Sequence, residues 1–358
     1  MKTLLFLLIS FAFIHSQETQ PPIVWYGYGS FTVEGLGSPD SLRESPYDRM
    51  PVAWKDKVRK PVWELSKNTA GVTVRFYSNT TSIRFKWTVL NDLKMSHMAE
   101  TGIKGIDLYA KSDNKWVYIN TARPKGKSSE HKMITDMTQQ TREYLLYLPL
   151  YDGVTELEIG VDSLSSFAAP ERNTEKPIVY YGTSIAQGGC ASRPGMAHTN
   201  ILSRMMDVEI INLGFSGNGR MEMPIAEFMA ETDAKYYILD NIPNMKLEEV
   251  LSNVRPFVAY IRGKHPETPI IFIESFLFAN TALEKGSHKQ ISEKNRALRG
   301  EYKKLQSEGV KGLHYISLDS MHAALAEGTV DGVHLTDLGF MRFAEFLRKE
   351  FEIMKNEK

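Results

Sequence analysis

The hydrophobic period of this chain changes near residue 177, and the change dictates two different kinds of sheet. Before it, apolar and polar residues alternate with period two in short runs at 72–77, 82–87, 106–110, 116–119, 141–148 and 156–161. Alternate side chains of a strand share a face, so each run can bury one face and wet the other. Turn residues such as Ser78-Asn79-Thr80-Thr81 separate the runs. Many short strands without long helical patterns predict a β-sandwich of jelly-roll type. Beyond residue 177, strand-like runs at 178–181, 208–213, 236–240, 270–274 and 314–318 alternate with helical patterns at 198–206, 247–264, 289–307 and 338–351. Repeated β-α steps predict a parallel sheet with helices on both faces, and reactive groups gathered at the carboxyl ends of its strands.

A length of 358 residues suits two domains better than one core. The pattern divides the chain into a signal peptide at 1–17, a β-sandwich at 18–165, a linker at 166–176 and an α/β domain at 177–358. Lys2, an apolar run at 4–14 and small Ser16 carry the signal-peptide reading. The run is too short to span a bilayer, and the alternative is a buried N-terminal helix. The expectation is an exported protein, periplasmic or extracellular, whose mature chain has no transmembrane segment. Cys190 is the only cysteine, so neither an intramolecular disulfide nor a lipid-carrying cysteine after the signal is possible. Forty-three basic residues balance 43 acidic ones, which gives no electrostatic case for nucleic acid or an anionic membrane.

The chemistry-bearing residues lie at the two ends of the α/β half. Ser184, in Gly182-Thr183-Ser184-Ile185-Ala186-Gln187-Gly188, directly follows a strand-like run. His334 closes Asp331-Gly332-Val333-His334, just before the last helical pattern. Taken singly, Ser184 is a helix N-cap and His334 a surface or core histidine. Taken together they make a nucleophile and its base, with Asp331 placed to hold the imidazole tautomer. Position 186 is Ala, so the Gly-x-Ser-x-Gly elbow of α/β-hydrolases is absent. An ester hydrolase also needs donors for the developing oxyanion. Gly217, after the second strand, and the backbone N–H of Ser184 are two candidates. Asn244, after the third strand and Pro243, is the third, with Asn241 as its alternative. The glycines around Ser184 lack the lysine of a phosphate loop, and the nine histidines show no metal-binding spacing, so neither cofactor nor metal is expected. Two further features stand near these blocks. Cys190 reads as a small buried residue or as an oxidisable thiol. Met95-Ser96-His97-Met98 is a loop that either packs on the domain interface or reaches the site.

With Ser184, Gly217, Asn244 and His334 in four successive blocks and Asp331 three residues before the histidine, the chain resembles the SGNH (GDSL-type) hydrolases. The first block departs from the family's Gly-Asp-Ser, reading Gly182-Thr183-Ser184, and the third reads Asn241-Ile242-Pro243-Asn244. Both departures, with Gly105-Ile106-Asp107-Leu108-Tyr109, resemble a two-domain subgroup whose N-terminal β domain carries a Gly-x-Asp-Leu-Tyr motif. The resemblance implies a flavodoxin-like α/β/α SGNH hydrolase domain preceded by a jelly-roll-like β-sandwich, and metal-free ester hydrolysis. By analogy with exported two-domain relatives it implies removal of acetyl groups from carbohydrates. Two alternatives stand beside it: a lipase or lysophospholipase with an extended apolar groove, and an inactive carbohydrate-binding protein whose exposed tryptophans stack on sugars.

Overall fold

The computed structural model describes residues 21–39 and 41–356, so the segment expected as a signal peptide lies outside the described residues. The first half contains β1 (Ile23–Tyr26), β2 (Thr32–Glu34), α1 (Lys60–Ser66), β3 (Thr73–Ser78), β4 (Ile83–Val89), α2 (Glu100–Lys104), β5 (Ile106–Ser112), β6 (Lys115–Ala122), β7 (Ser128–Ile134), β8 (Arg142–Tyr147), β9 (Val154–Asp162) and β10 (Phe167–Ala168). They form two antiparallel sheets, β1-β9-β4-β7 and β10-β3-β8-β5-β6, with β2 paired to β3. Strand β4 shows the expected alternation: Ile83, Phe85, Trp87 and Val89 are buried, while Arg84, Lys86 and Thr88 are not. Facing side chains such as Val74, Phe76, Leu146 and Ile159 complete a core between the sheets.

Two features of this half differ from the sequence expectation. The linker expected from residue 166 begins instead as β10, paired with Tyr77 and Ser78 of β3. The reason is aromatic: Phe167 stacks on Tyr26 with ring centroids 4.0 Å apart and on Phe76 at 5.1 Å. Strand β7, Ser-Ser-Glu-His-Lys-Met-Ile, was hidden by its polarity, which suits an edge strand that buries only Ser129 and Met133.

The second half runs β11 (Ile178–Gly182), α3 (Ser184–Gln187), α4 (His198–Met206), β12 (Ile210–Gly214), α5 (Met223–Met229), β13 (Tyr236–Asp240), α6 (Leu247–Lys264), β14 (Ile270–Ile273), α7 (Lys285–Ser307), β15 (Leu313–Ile316), α8 (His322–Ala326) and α9 (Asp337–Asn356). Its five strands are all parallel, in the order β12-β11-β13-β14-β15. Both faces are covered, which is why β11 reads as an unbroken apolar run rather than an alternating one. Phe228, Val254, Phe257 and Leu298 from α5, α6 and α7 pack on one face. Ile201, Leu202, Phe340 and Leu347 from α4 and α9 pack on the other. This is the flavodoxin-like order, in which strand order reverses around the first strand. Among the described residues, no helix is long and apolar enough to cross a membrane.

The halves share their cores. Trp54, Val62 and Trp63 join the α5–α6 face, with Trp54 edge-on to Phe228 at 5.3 Å. Trp54, Trp63 and Trp87 are therefore buried and unavailable for stacking on sugars. Arg49 fastens the same junction. Fully buried, it donates to the carbonyls of Leu65 and Asn68 on one side and of Asn212 and Gly214, at the end of β12, on the other. Arg49→Met would remove all four of these hydrogen bonds from a buried junction, and we expect a stability loss of about 3–5 kcal/mol. A denaturant titration checks this; an unchanged midpoint would refute the latch.

Candidate active site

The register of the sheet assembles the site. Gly182 at the end of β11 lies opposite Gly214 of β12 and Asp240 of β13, so the loops carrying Ser184, Gly217 and Asn244 leave three adjacent strands at one level. That level is the crevice where strand order reverses, the usual ligand position in such sheets. The fourth block arrives from outside the sheet, on the turn before α9. There Gly332 takes φ +86, a left-handed conformation open to glycine, and the chain folds Asp331 back onto His334.

Ser184, His334 and Asp331, expected to act together, are brought into one hydrogen-bonded line. The Ser184 Oγ lies 2.9 Å from His334 Nε2, and His334 Nδ1 lies 2.7 Å from Asp331 Oδ2. A carboxylate can only accept, so the ring proton sits on Nδ1 and Nε2 is left as an acceptor facing the hydroxyl. The other oxygen of Asp331 accepts the backbone N–H groups of Val333 at 3.0 Å and His334 at 2.8 Å. Burial alone would raise the Asp331 carboxyl. The donors from His334 and Val333 outweigh it and hold the group at about 2, below its usual 3.8. Asp331 therefore keeps its charge down through acidic pH, and its share of stability is lost only as pH falls from about 4 towards about 2.

Ser184 is not the N-cap. Thr183 takes that position, accepting the N–H of Ile185, and Ser184 is the first helical residue of α3. Its own N–H therefore has no acceptor within the helix. Only 7% of Ser184 is exposed. Around Gly217, the N–H groups of Ser216, Asn218 and Gly219 are all engaged, by Gln187 Oε1, Phe215 O and Asn244 Oδ1 respectively. Among the described residues that of Gly217 has no acceptor, and with φ +69 a side chain there would meet nothing within 4 Å.

The two asparagines separate by burial. Asn244 is half-buried, and by accepting the Gly219 N–H at 3.1 Å through Oδ1 it leaves its Nδ2 amino group as the disengaged donor. Asn241 is wholly buried, with neither side-chain atom hydrogen-bonded to protein. Both lie in one turn after β13, with the Asn244 N–H capping the Asn241 carbonyl at 3.0 Å.

Several positioning residues were invisible in the sequence because their partners are remote. Gln187 donates to Leu150 O and accepts from Ser216 N, tying α3 to the Gly217 loop. Asn212 donates to Ala186 O and Thr199 Oγ1 and accepts from Gly214 N. Asp337 at the start of α9 accepts both the N–H and hydroxyl of Ser192, joining the histidine turn to the loop after Ser184. Tyr151 donates to the Ser184 carbonyl at 3.2 Å. The Gly-x-Asp-Leu-Tyr motif acts on that same loop. Buried Asp107 accepts from Arg193 Nη1 at 2.6 Å and from Gly195 N at 2.7 Å, and Tyr109 accepts from Arg193 at 2.8 Å. A motif on the β-sandwich thus holds the chain that runs out of α3.

Of the two features left open by the sequence, Cys190 is buried beside the site. Burial, with the nearby Asp331 charge, pushes its thiol up to about 12, so it is a poor nucleophile at neutral pH. The 95–98 loop does reach the site: the rings of His97 and His334 lie 5.8 Å apart.

Comparison with known proteins agrees with the geometry. The GDSL-like lipase/acylhydrolase family model matches residues 175–352, and the model for the N-terminus of SGNH-hydrolase-type esterases, named for the GxDLY motif, matches residues 23–167. A structure described as a GDSL-like lipase from Bacteroides ovatus is 35% identical, covers 93% of this chain and 98% of its own, and superposes with a TM-score of 0.87. A salicylyl-acyltransferase from a tetracycline biosynthetic pathway shares the fold at 16% identity, covering 93% of this chain and 98% of its own, with a TM-score of 0.76. An acetyl xylan esterase from the rumen bacterium Butyrivibrio proteoclasticus does so at 11% identity, covering 92% and 99%, with a TM-score of 0.54. No curated protein sequence matches the chain. The chain belongs to the GDSL-like, SGNH-type family of lipases and acylhydrolases, in its two-domain form with an N-terminal GxDLY β-sandwich.

Proposed function

We propose that the protein is an exported serine esterase that removes short acyl groups, acetyl above all, from carbohydrates. The observation that carries the reading is the continuous line from Asp331 through His334 to Ser184, ending beside two disengaged N–H donors and the Asn244 amide. In this reading His334 Nε2 takes the Ser184 proton as Oγ attacks the ester carbonyl. The resulting oxyanion meets the N–H groups of Ser184 and Gly217 and the Nδ2 of Asn244. His334 then gives the proton to the departing sugar oxygen, and a water repeats the sequence on the acyl-serine. The confined surroundings of Ser184 support a small acyl group. Ser184 itself is only 7% exposed. The acetyl xylan esterase among the fold relatives supports the carbohydrate half of the proposal by analogy only.

The chain-length profile on aryl esters separates this reading from a lipase. Acetyl should be preferred over octanoyl by more than about tenfold in kcat/KM, since each methylene without a pocket forfeits binding worth a few-fold or more. Acetate release from acetylated glycans completes the test. Preference for long chains, without acetate release from any glycan, would replace the proposal with the lipase.

Asn244 gives a second check. The charge it meets exists only in the transition state, so Asn244→Ala should lower kcat by about 10²–10³-fold with KM little changed. Asn241→Ala should leave kcat within about tenfold of wild type, because its side chain is wholly buried. Reversed phenotypes would move the oxyanion donor to Asn241 and leave the esterase reading standing.

A further inference from the structure

Three metal-ligating side chains converge beside the Ser184–His334 pair from segments far apart in the chain. His97 comes from the β-sandwich half, on a turn closed by an antiparallel bridge between Met95 and Met98. Cys190 follows α3, and His334 precedes α9. One ligand atom from each of the three lies within 4.8 Å of those of the other two. His97 is not buried, unlike Cys190. Cys190 is held in the left-handed region at φ +75, an unfavourable conformation for a residue with a side chain, and such strain concentrates at functional sites.

We propose that His97, Cys190 and His334 form an inhibitory site for a zinc-class divalent cation, with three protein ligands and one open position. Tetrahedral zinc, with Zn–N of about 2.0 Å and Zn–S of about 2.3 Å, sets two nitrogens and one sulfur roughly 3.3–3.5 Å apart. Closing the observed spread takes about 1 Å of movement, which rotation of His97 on its loop supplies. Two imidazoles and a thiolate form a soft donor set that discriminates against magnesium and calcium. On binding, the cation displaces the Cys190 thiol proton to solvent, while both histidines donate neutral lone pairs. The ionised Asp331 next to the cluster favours the incoming positive charge. The inhibitory effect rests on the reading of His334 as the base. A cation on Nε2 takes the lone pair that faces Ser184, and one on Nδ1 breaks the bond to Asp331.

The test titrates wild-type, His97→Ala and Cys190→Ser proteins with Zn²⁺ alone by calorimetry, and follows short aryl ester hydrolysis over the same concentrations. Wild type should bind one Zn²⁺ per chain and lose hydrolysis in step with occupancy. EDTA should restore it, and Mg²⁺ should do neither. Loss of the His97 ligand should weaken both binding and inhibition by at least about tenfold, with inhibition read against each variant's own rate in EDTA and the melting temperature confirming the fold. His97→Asn serves if the alanine variant melts early. Absence of stoichiometric binding, or binding indifferent to both His97 and Cys190, overturns the site. Binding that needs both residues but leaves hydrolysis intact overturns the inhibitory role and removes His334 from the ligand set. Calorimetry reads the site even if no ester is hydrolysed, so failure of the esterase reading is seen separately.

Discussion

Ser184→Ala should lower kcat on a short aryl ester by about 10⁶-fold, with the melting temperature unchanged. Among the described residues the hydroxyl has one partner, His334 Nε2, and the cap of α3 is Thr183, so it carries no capping duty. Alanine also suits the first turn of a helix. His334→Ala should fall to a similar level, and the double variant should be scarcely worse, since nucleophile and base act as a unit. Residual activity within tenfold of wild type, in a folded Ser184→Ala protein, would end the serine mechanism.

Asp331→Asn should cost about 10⁴-fold in kcat, and here the geometry argues against a mild effect. An asparagine oxygen can keep the two backbone donors from Val333 and His334, so the turn survives. Its amino group then faces Nδ1, which must become an acceptor. The ring proton moves to Nε2, where it points at the Ser184 hydroxyl and cannot receive a proton. Among the described residues, no backbone carbonyl shares Nδ1 with Asp331 to rescue the tautomer. Asp331→Asn should therefore bind a substrate analogue normally while turning over slowly. A loss below about tenfold would mean that Asp331 is not the group orienting the imidazole.

What could be read from the chain follows from the range of each interaction. Strand and helix periods are local, and the runs at 178–181, 236–240, 198–206 and 247–264 reappear as β11, β13, α4 and α6 within a residue. Asp331 and His334 are three residues apart, so their pairing needs only a turn. Ser184 and Asn244 were placed by the rule that reactive loops follow parallel strands. Between Asn244 and Asn241 the chain offers no local signal, because both sit in one turn and differ in burial alone. Gln187, Asn212, Tyr151 and Arg49 carry no signature, since each acts through a carbonyl or N–H brought near by folding. The Gly-x-Asp-Leu-Tyr motif was visible as a pattern. Its work, holding Arg193 and Gly195, depends on a contact spanning both halves of the chain.

The central claim is that Ser184 is a nucleophile activated by His334. A short alkyl fluorophosphonate, which reacts with activated serines, tests it most directly when adduct formation is followed by intact-protein and peptide mass spectrometry. The account predicts one adduct per chain, on Ser184, formed in step with loss of esterase activity, absent in Ser184→Ala and strongly slowed in His334→Ala. An adduct on another residue, or full inactivation of hydrolysis with Ser184 unmodified, would contradict it.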